Sequence, residues 1–194
     1  MAGIFNLPNF LSLTRIVLIP VLFFGIVDFT PAFYIYLIVL FFFTVSLDFF
    51  DGFLARKLHQ ETELGKILDP VADKLLVVAL IAAFILKSRF PLWLAVPIIL
   101  RDLVILSASL VLYKKRHIIK PSIFVGKITF VLLSYLLLVY IIDLNPNFQL
   151  LILKRFFSIL TAGFLLWSFL EYLRVYLALR GTRKITPETD DTPH

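Results

Sequence analysis

Long apolar runs dominate the chain and are separated by short polar segments. The runs cover residues 15–29, 33–47, 68–86, 92–113, 123–144 and 150–179. An apolar run of about 18 or more residues is long enough to cross a bilayer as a helix, and several runs reach that length. A helix also satisfies its own backbone hydrogen bonds within lipid. The pattern therefore predicts an all-α integral membrane protein with six transmembrane helices.

The two ends of the chain differ from the apolar runs. Residues 4–14 mix apolar positions with Asn6, Asn9 and Ser12, which predicts a short interfacial amphipathic helix before the first span. That first span resembles a signal peptide only loosely, because it contains Arg15 and lacks a small-residue cleavage site, so we expect it to be retained. Residues 1–180 are predicted to form one membrane domain. Residues 181–194 are polar, contain two prolines and are predicted to be a disordered tail.

The basic residues lie mostly on one side of the predicted bundle. The connections between spans one and two and between spans five and six contain no Lys or Arg, whereas Lys87 and Arg89 are weak exceptions on that side. The opposite side has Arg56, Lys57, Lys66, Lys114, Lys115, Arg116, Lys120, Lys127, Arg180, Arg183 and Lys184. Because basic loops stay in the cytoplasm, a multi-pass protein of the cell (inner) membrane with both termini cytoplasmic is predicted.

Composition supports the membrane assignment and excludes several kinds of site. The chain is 60% hydrophobic, whereas soluble domains are about 45–50% apolar. It has no cysteine, so disulfides, thiolate metal sites and cysteine nucleophiles are excluded. The net charge of +6 comes from residues between apolar runs, which indicates contact with membrane lipids or substrate phosphates rather than with nucleic acid.

Four aspartates at or near membrane depth are the main candidates for chemistry: Asp48, Asp51, Asp69 and Asp73. A charged side chain near the bilayer centre costs about 2.5–3.5 kcal/mol on insertion scales, so such a group indicates a functional site. Helical positions three or four apart share a face, so each pair projects together from its own helix. Two such pairs can hold one or two hard divalent ions, which prefer carboxylate oxygens.

Small residues and one arginine accompany the aspartates. Gly52 and Ala55 share a face with Asp48, and Gly65 precedes Asp69 by four positions. Glycine within a helix costs about 1 kcal/mol relative to alanine, which indicates that a ligand approaches the backbone here. Arg56 could bind a phosphate through two hydrogen bonds. Together these features favour a substrate that carries a diphosphate.

These residues carry a resemblance to a known family. Asp48-x-x-Asp51-Gly52-x-x-Ala55-Arg56, then eight residues, then Gly65-x-x-x-Asp69-x-x-x-Asp73 matches every fixed position of the CDP-alcohol phosphotransferase signature. The resemblance implies six transmembrane helices, a site for two metal ions, Mg²⁺ or Mn²⁺, and a CDP-linked donor. It also implies CMP as the leaving group and a homodimer.

The resemblance further implies a role for each motif residue. Asp48, Asp51, Asp69 and Asp73 would be the metal ligands. Asp73 would also be the general base that deprotonates the acceptor hydroxyl. The donor nucleotide and diphosphate would contact Asp48, Gly52, Ala55, Arg56 and Gly65.

Segments outside the motif bear on the two substrates. The segments around Asn9 and Asp73 are similar to the branch of the family that transfers a phosphatidyl group from CDP-diacylglycerol to glycerol 3-phosphate. Arg101-Asp102 and the later lysines are closer to the branch that uses phosphatidylglycerol and makes cardiolipin. The predicted acceptor-binding residues are Arg101, Lys120, Lys127, Asn9 and Arg15. Glycerol 3-phosphate is the first choice of acceptor and phosphatidylglycerol the alternative.

Other classes of protein also place acidic residues within the membrane. A transporter with an acidic vestibule, or a structural ion-pair cluster, could explain the aspartates but not the glycines and Arg56 at these spacings. A membrane prenyltransferase uses paired aspartate motifs but gives no reason for the Gly-x-x-Ala-Arg element. Release of CMP from CDP-diacylglycerol would distinguish the predicted enzyme from a transporter.

Overall fold

Six long α-helices make up the described part of the chain. The computed structural model describes residues 7–57, 65–116 and 124–182. The helices are α1 (Leu7–Val27), α2 (Tyr34–Lys57), α3 (Gly65–Leu86), α4 (Leu92–Arg116), α5 (Phe124–Ile142) and α6 (Leu151–Thr182), with a short 3₁₀ turn at Pro31–Phe33 before α2. The prediction of an all-helical protein is confirmed.

The first helix differs from the prediction. The expected interfacial helix and first span form one continuous helix, α1, over the residues that the structure describes. Ser12 and Arg15 do not lie at a water interface, because both are fully buried within the bundle. Pro8 lies in the first turn, where its missing N–H breaks no helical hydrogen bond. The separate interfacial helix was therefore wrong.

The last helix bears on the predicted tail. Helix α6 ends at Thr182 and so includes the first two residues of the segment predicted to be disordered. The remaining residues of that segment lie outside the described ranges. The boundary at residue 180 thus stays a prediction.

The bundle buries an apolar core and exposes an apolar surface. Helix α1 packs along both α2 and α3, α5 packs against α6, and α4 contacts α3 and α6. Leu22, Leu80, Phe84, Ile98 and Leu136 are among the most deeply buried side chains. Many large apolar side chains are nevertheless exposed on the outer surface, which is typical of helices that face lipid.

Length and composition qualify three of the described helices as candidate membrane spans. These segments are Phe10–Val27, Val125–Ile142 and Leu151–Glu171, and a shorter apolar segment covers Pro31–Leu47. Helices α3 and α4 have 22 and 25 residues, which is long enough to cross a bilayer. Both contain charged residues in their interiors, which lower their hydropathy. The chain is therefore a membrane protein with several apolar helices.

The connections between helices define two ends of the bundle. At one end, Arg89 after α3 donates to the backbone oxygen of Asp143 after α5 at 2.7 Å. Tyr34 at the start of α2 stacks on Phe148 in that same connection. We call this the connection end. The aspartate motif begins α3 and ends α2, so it lies at the other end, which we call the motif end.

Candidate functional site

The last aspartate of the motif is paired with a buried arginine. Arg15 Nη1 donates to Asp73 Oδ1 at 2.5 Å, which joins α1 to α3. The Arg15 side chain is fully buried, whereas the Asp73 side chain is 24% exposed. A charged side chain within the bundle requires a partner of opposite charge, because burying an unpaired charge away from water is costly. The Asp73 carboxylate at the motif end is therefore accessible, whereas the Arg15 guanidinium that holds it is not.

A second ion-pair cluster lies around Asp102. Its carboxylate, only 4% exposed, accepts from Arg101 Nη1 at 2.7 Å and from Lys74 Nζ at 3.0 Å. Arg101 Nη2 also donates to Ser168 Oγ at 2.9 Å. Lys74 Nζ lies 6.0 Å from the centre of the Phe130 ring. This cluster links α3, α4 and α6 and borders α5.

The two clusters adjoin, because Asp73 and Lys74 are consecutive residues of α3. Among the described side chains, together they contain three cations (Arg15, Lys74 and Arg101) and two carboxylates (Asp73 and Asp102). Cations in a mostly buried region favour an anionic ligand. The arrangement suits a substrate that carries phosphate.

The remaining predicted donor and metal residues can be placed by their helices alone. The last turns of α2 include Asp48, Asp51, Gly52, Ala55 and Arg56, and the first turns of α3 include Gly65 and Asp69. The side chains of these seven residues lie outside the described part of the chain. The structure thus places their backbones at the motif end, in the last turns of α2 and the first turns of α3.

The predicted acceptor residues fall into different places. Arg15 and Arg101 belong to the two buried clusters. Lys127 lies at the start of α5 with an exposed side chain. Asn9 is in the first turn of α1, but its side chain is outside the described residues, as is all of Lys120. Among the predicted acceptor residues whose side chains are described, only Lys127 is exposed on the outside of the bundle.

The donor chemistry of the aspartates fits hard divalent ions. Asp48 and Asp51 are three positions apart on α2, and Asp69 and Asp73 are four apart on α3, so each pair shares a helix face. All four offer carboxylate oxygens, which Mg²⁺ and Mn²⁺ prefer. Among the described side chains no group of three potential ligands occurs, since Asp73 alone of the four is among them.

The sequence interpretation missed Lys74 and Ser168. Lys74 directly follows Asp73 in the motif segment, and that adjacency was the available signal. The pairing of Arg101 with Asp102 was considered as a neutral pair within one span, and the structure extends it to Lys74 and Ser168. No spacing rule predicts a hydroxyl of α6 opposite an arginine of α4, because helix packing decides that contact.

Comparisons with known proteins agree with the motif. Residues 5–170 match the family model of CDP-alcohol phosphatidyltransferases. A relative from Aquifex aeolicus is 35% identical over 94% of this chain and 99% of its own length. Another from Pseudomonas fluorescens is 32% identical over 93% and 96%. Both are named CDP-diacylglycerol–glycerol-3-phosphate 3-phosphatidyltransferase. With a motif-end carboxylate and a match over most of its length, the chain belongs to the CDP-alcohol phosphatidyltransferase family of membrane enzymes.

Proposed function

We propose that the protein transfers a phosphatidyl group from CDP-diacylglycerol to glycerol 3-phosphate and releases CMP. The observation that carries this proposal is its similarity, over nearly the full length of both chains, to relatives named for that reaction. The partly exposed Asp73 carboxylate beside the largely buried cations Arg15, Lys74 and Arg101 supports it.

In this reaction a bond from phosphorus to the acceptor oxygen replaces the bond from phosphorus to CMP, and the acceptor hydroxyl loses its proton. The acceptor hydroxyl oxygen attacks the phosphatidyl phosphorus, and the bond from that phosphorus to the oxygen of CMP breaks. Asp73 takes the proton of the hydroxyl, as a carboxylate within hydrogen-bond reach can do. Arg15 is fully buried and so acts through Asp73, as a positioning residue that fixes the orientation of the carboxylate.

The four aspartates Asp48, Asp51, Asp69 and Asp73 would hold two Mg²⁺ or Mn²⁺ ions. When bound, these ions neutralise charge on the diphosphate and stabilise CMP as it leaves. Arg56 would bind the diphosphate, and Gly52, Ala55 and Gly65 would leave room for the nucleotide. These assignments follow the positions that match the family signature.

The predicted acceptor-binding cations differ in how accessible they are to the phosphate of the acceptor. Arg101 is engaged with Asp102 and Ser168, so we propose that its first role is to hold α4 against α6. Lys127 is exposed on α5, one turn before Phe130, whose ring lies near Lys74. Lys127 is therefore the described cation best placed to meet an acceptor that arrives from water. Roles for Asn9 and Lys120 in acceptor binding remain predictions.

The topology follows from the distribution of charge. We propose that all six helices cross the cell (inner) membrane, with the motif end and both termini in the cytoplasm. Glycerol 3-phosphate and CMP are water-soluble, so the site must open to an aqueous compartment. A homodimer is also proposed, on the family resemblance alone.

The choice of acceptor can be tested directly. Purified protein with CDP-diacylglycerol is expected to consume glycerol 3-phosphate, rather than phosphatidylglycerol, and to release one CMP per phosphatidyl group transferred. Products are resolved by mass spectrometry with both acceptors present at equal concentration. Consumption of phosphatidylglycerol alone would assign the cardiolipin reaction instead. No CMP release with either acceptor would favour a non-enzymatic role.

Metal dependence provides a second test. Four carboxylates on two neighbouring helix ends repel one another unless cations offset their charge. Chelation is therefore expected to abolish CMP release, and added Mg²⁺ or Mn²⁺ to restore it. The control is excess chelator already saturated with Mg²⁺, which should leave activity intact. Undiminished turnover in free chelator would contradict the metal assignment.

A further inference from the structure

A pocket with basic walls lies at the connection end, away from the motif. It encloses about 470 Å³ between α4, α5 and α6. Its charged lining residues are Arg89, Lys154 and Arg155, and its aromatic ones include Trp93 and Tyr140. From Asp73 to Leu86 at this end of α3 is 13 residues, or about 20 Å along the helix. The pocket is therefore separate from the site that contains Asp73.

One buried carboxylate neutralises only part of the positive charge of this pocket. Asp143 accepts from Lys154 Nζ at 2.5 Å and from Arg89 Nη1 at 3.3 Å, and its side chain is 9% exposed. No carboxylate of the described residues forms an ion pair with Arg155. Among the described residues that line or contact the pocket, three cations and one carboxylate leave two positive charges in excess.

This charge contradicts the pattern that orients the bundle. The sequence interpretation counted Lys87 and Arg89 as weak exceptions at this end. The structure adds Lys154 and Arg155, which lie in the first two turns of α6. Basic residues are depleted in short connections on the non-cytoplasmic side. Four cations lie at this end, and three of them line one pocket. Their presence indicates a role other than orienting the bundle in the membrane, such as binding an anion.

The backbone before α4 holds Arg89 toward this pocket. Ser88 adopts a left-handed conformation with φ of 53°, which non-glycine residues rarely adopt. The backbone N–H of Arg89 then donates to the Phe84 oxygen at 3.0 Å, and its guanidinium donates to the Asp143 backbone oxygen at 2.7 Å. Arg89 is thus fixed in place before any ligand binds.

The rim of the pocket is apolar and faces outward. Trp93, Leu151 and Ile159 line the pocket and are largely exposed. A second cavity of about 390 Å³ also includes Trp93 and continues between α4 and α6 along apolar side chains such as Pro97 and Leu165 as far as Arg101. Aromatic residues of this kind concentrate at the membrane–water interface. A ligand that fits both parts has a negative head and an apolar tail.

We propose that this pocket binds the phosphate of an anionic phospholipid from the leaflet opposite the motif end. The phosphate would contact Arg155 and the outward-facing donors of Arg89 and Lys154, while an acyl chain lies along the groove between α4 and α6. Phosphate binding by arginine is charge-assisted and commonly bidentate. An isolated inorganic phosphate would use the cations but not the apolar rim.

Trp93 can report on this binding. The chain has two tryptophans, so Trp167→Phe leaves Trp93 as the only one. The full-length variant is reconstituted in phosphatidylcholine bilayers that contain either brominated phosphatidylglycerol or brominated phosphatidylcholine, because bromine quenches tryptophan fluorescence on contact. We expect stronger quenching by the anionic lipid at equal mole fraction.

Two charge-matched variants then test the pocket itself. Arg155→Gln removes the pocket cation that pairs with no described carboxylate, and should lower the preference for phosphatidylglycerol about tenfold, the effect of one lost charge-assisted contact. Lys87→Gln removes an exposed cation at the same end that does not line the pocket, and should leave the preference within about twofold of the parent value.

Three results would overturn the proposal. Equal quenching by the two lipids would show that the pocket does not select an anionic headgroup. An equal loss of the phosphatidylglycerol preference in Arg155→Gln and Lys87→Gln would show that it comes from general attraction between basic side chains and anionic lipid. Abolition of the preference by millimolar inorganic phosphate would assign the pocket to a small anion instead of a lipid.

Discussion

Asp73→Asn is expected to lower the rate of phosphatidyl transfer about 10²–10⁴-fold, the usual contribution of a general base. The amide keeps the shape of the carboxylate but cannot accept the proton of the acceptor hydroxyl. Donor binding should persist, because three of the four aspartates proposed to hold the metals remain. The measurement combines CMP release under saturating substrates with equilibrium binding of CDP-diacylglycerol.

A double variant separates the proposed base from a mere counterion of Arg15. Arg15 Nη1 contacts Asp73 Oδ1, so Asp73→Asn also leaves a buried guanidinium without that carboxylate. If Asp73 served only to neutralise Arg15, Arg15→Gln combined with Asp73→Asn would recover activity. A double variant as inactive as Asp73→Asn alone is expected instead. Near-normal turnover by Asp73→Asn would place the base elsewhere.

Asp102→Asn is expected to lower the free energy of unfolding by about 3–5 kcal/mol, the usual cost of breaking a buried ion pair. Its carboxylate is 4% exposed and pairs with both Lys74 and Arg101. The amide would leave those two cations close together without a counter charge. The measurement is denaturant unfolding of the full-length protein in detergent micelles.

Glu171→Gln is the matched control for this change. Glu171 pairs with Arg174 three residues later on α6, at 3.1 Å, and the Arg174 side chain is 77% exposed. Exposed pairs of this kind contribute about 0–1 kcal/mol. A loss at Asp102 no greater than the loss at Glu171 would show that the Asp102 cluster does not hold α3, α4 and α6 together.

The apolar runs were sufficient to predict the helices, and the spacing of the aspartate motif was sufficient to predict the family. Long apolar runs can satisfy the backbone in lipid only as helices, and the structure has a helix at each of the six runs. The signature that begins at Asp48 and ends at Asp73 is a local pattern along two neighbouring helices. It could therefore be read without knowledge of how the helices pack.

The error at the first helix has a specific physical cause. Ser12 lies in the segment of residues 4–14 that was predicted to be interfacial, whereas Arg15 was predicted to begin the first span and to bind the acceptor. Both are fully buried, and Arg15 finds its counter charge in Asp73, 58 positions later. A sequence window cannot distinguish a residue that faces water from one that faces a partner on another helix.

The sequence by itself determined which helices form, which residues form the motif and which class of reaction they support, since each depends on nearby positions. Only the tertiary structure decided the partners of the buried charges: Arg15 with Asp73, Lys74 and Arg101 with Asp102, and Arg89 and Lys154 with Asp143. Apart from Arg101–Asp102, these pairs join residues 11 to 58 positions apart. Such contacts depend on how helices are rotated and packed against one another, and that is a property of the whole bundle rather than of any segment.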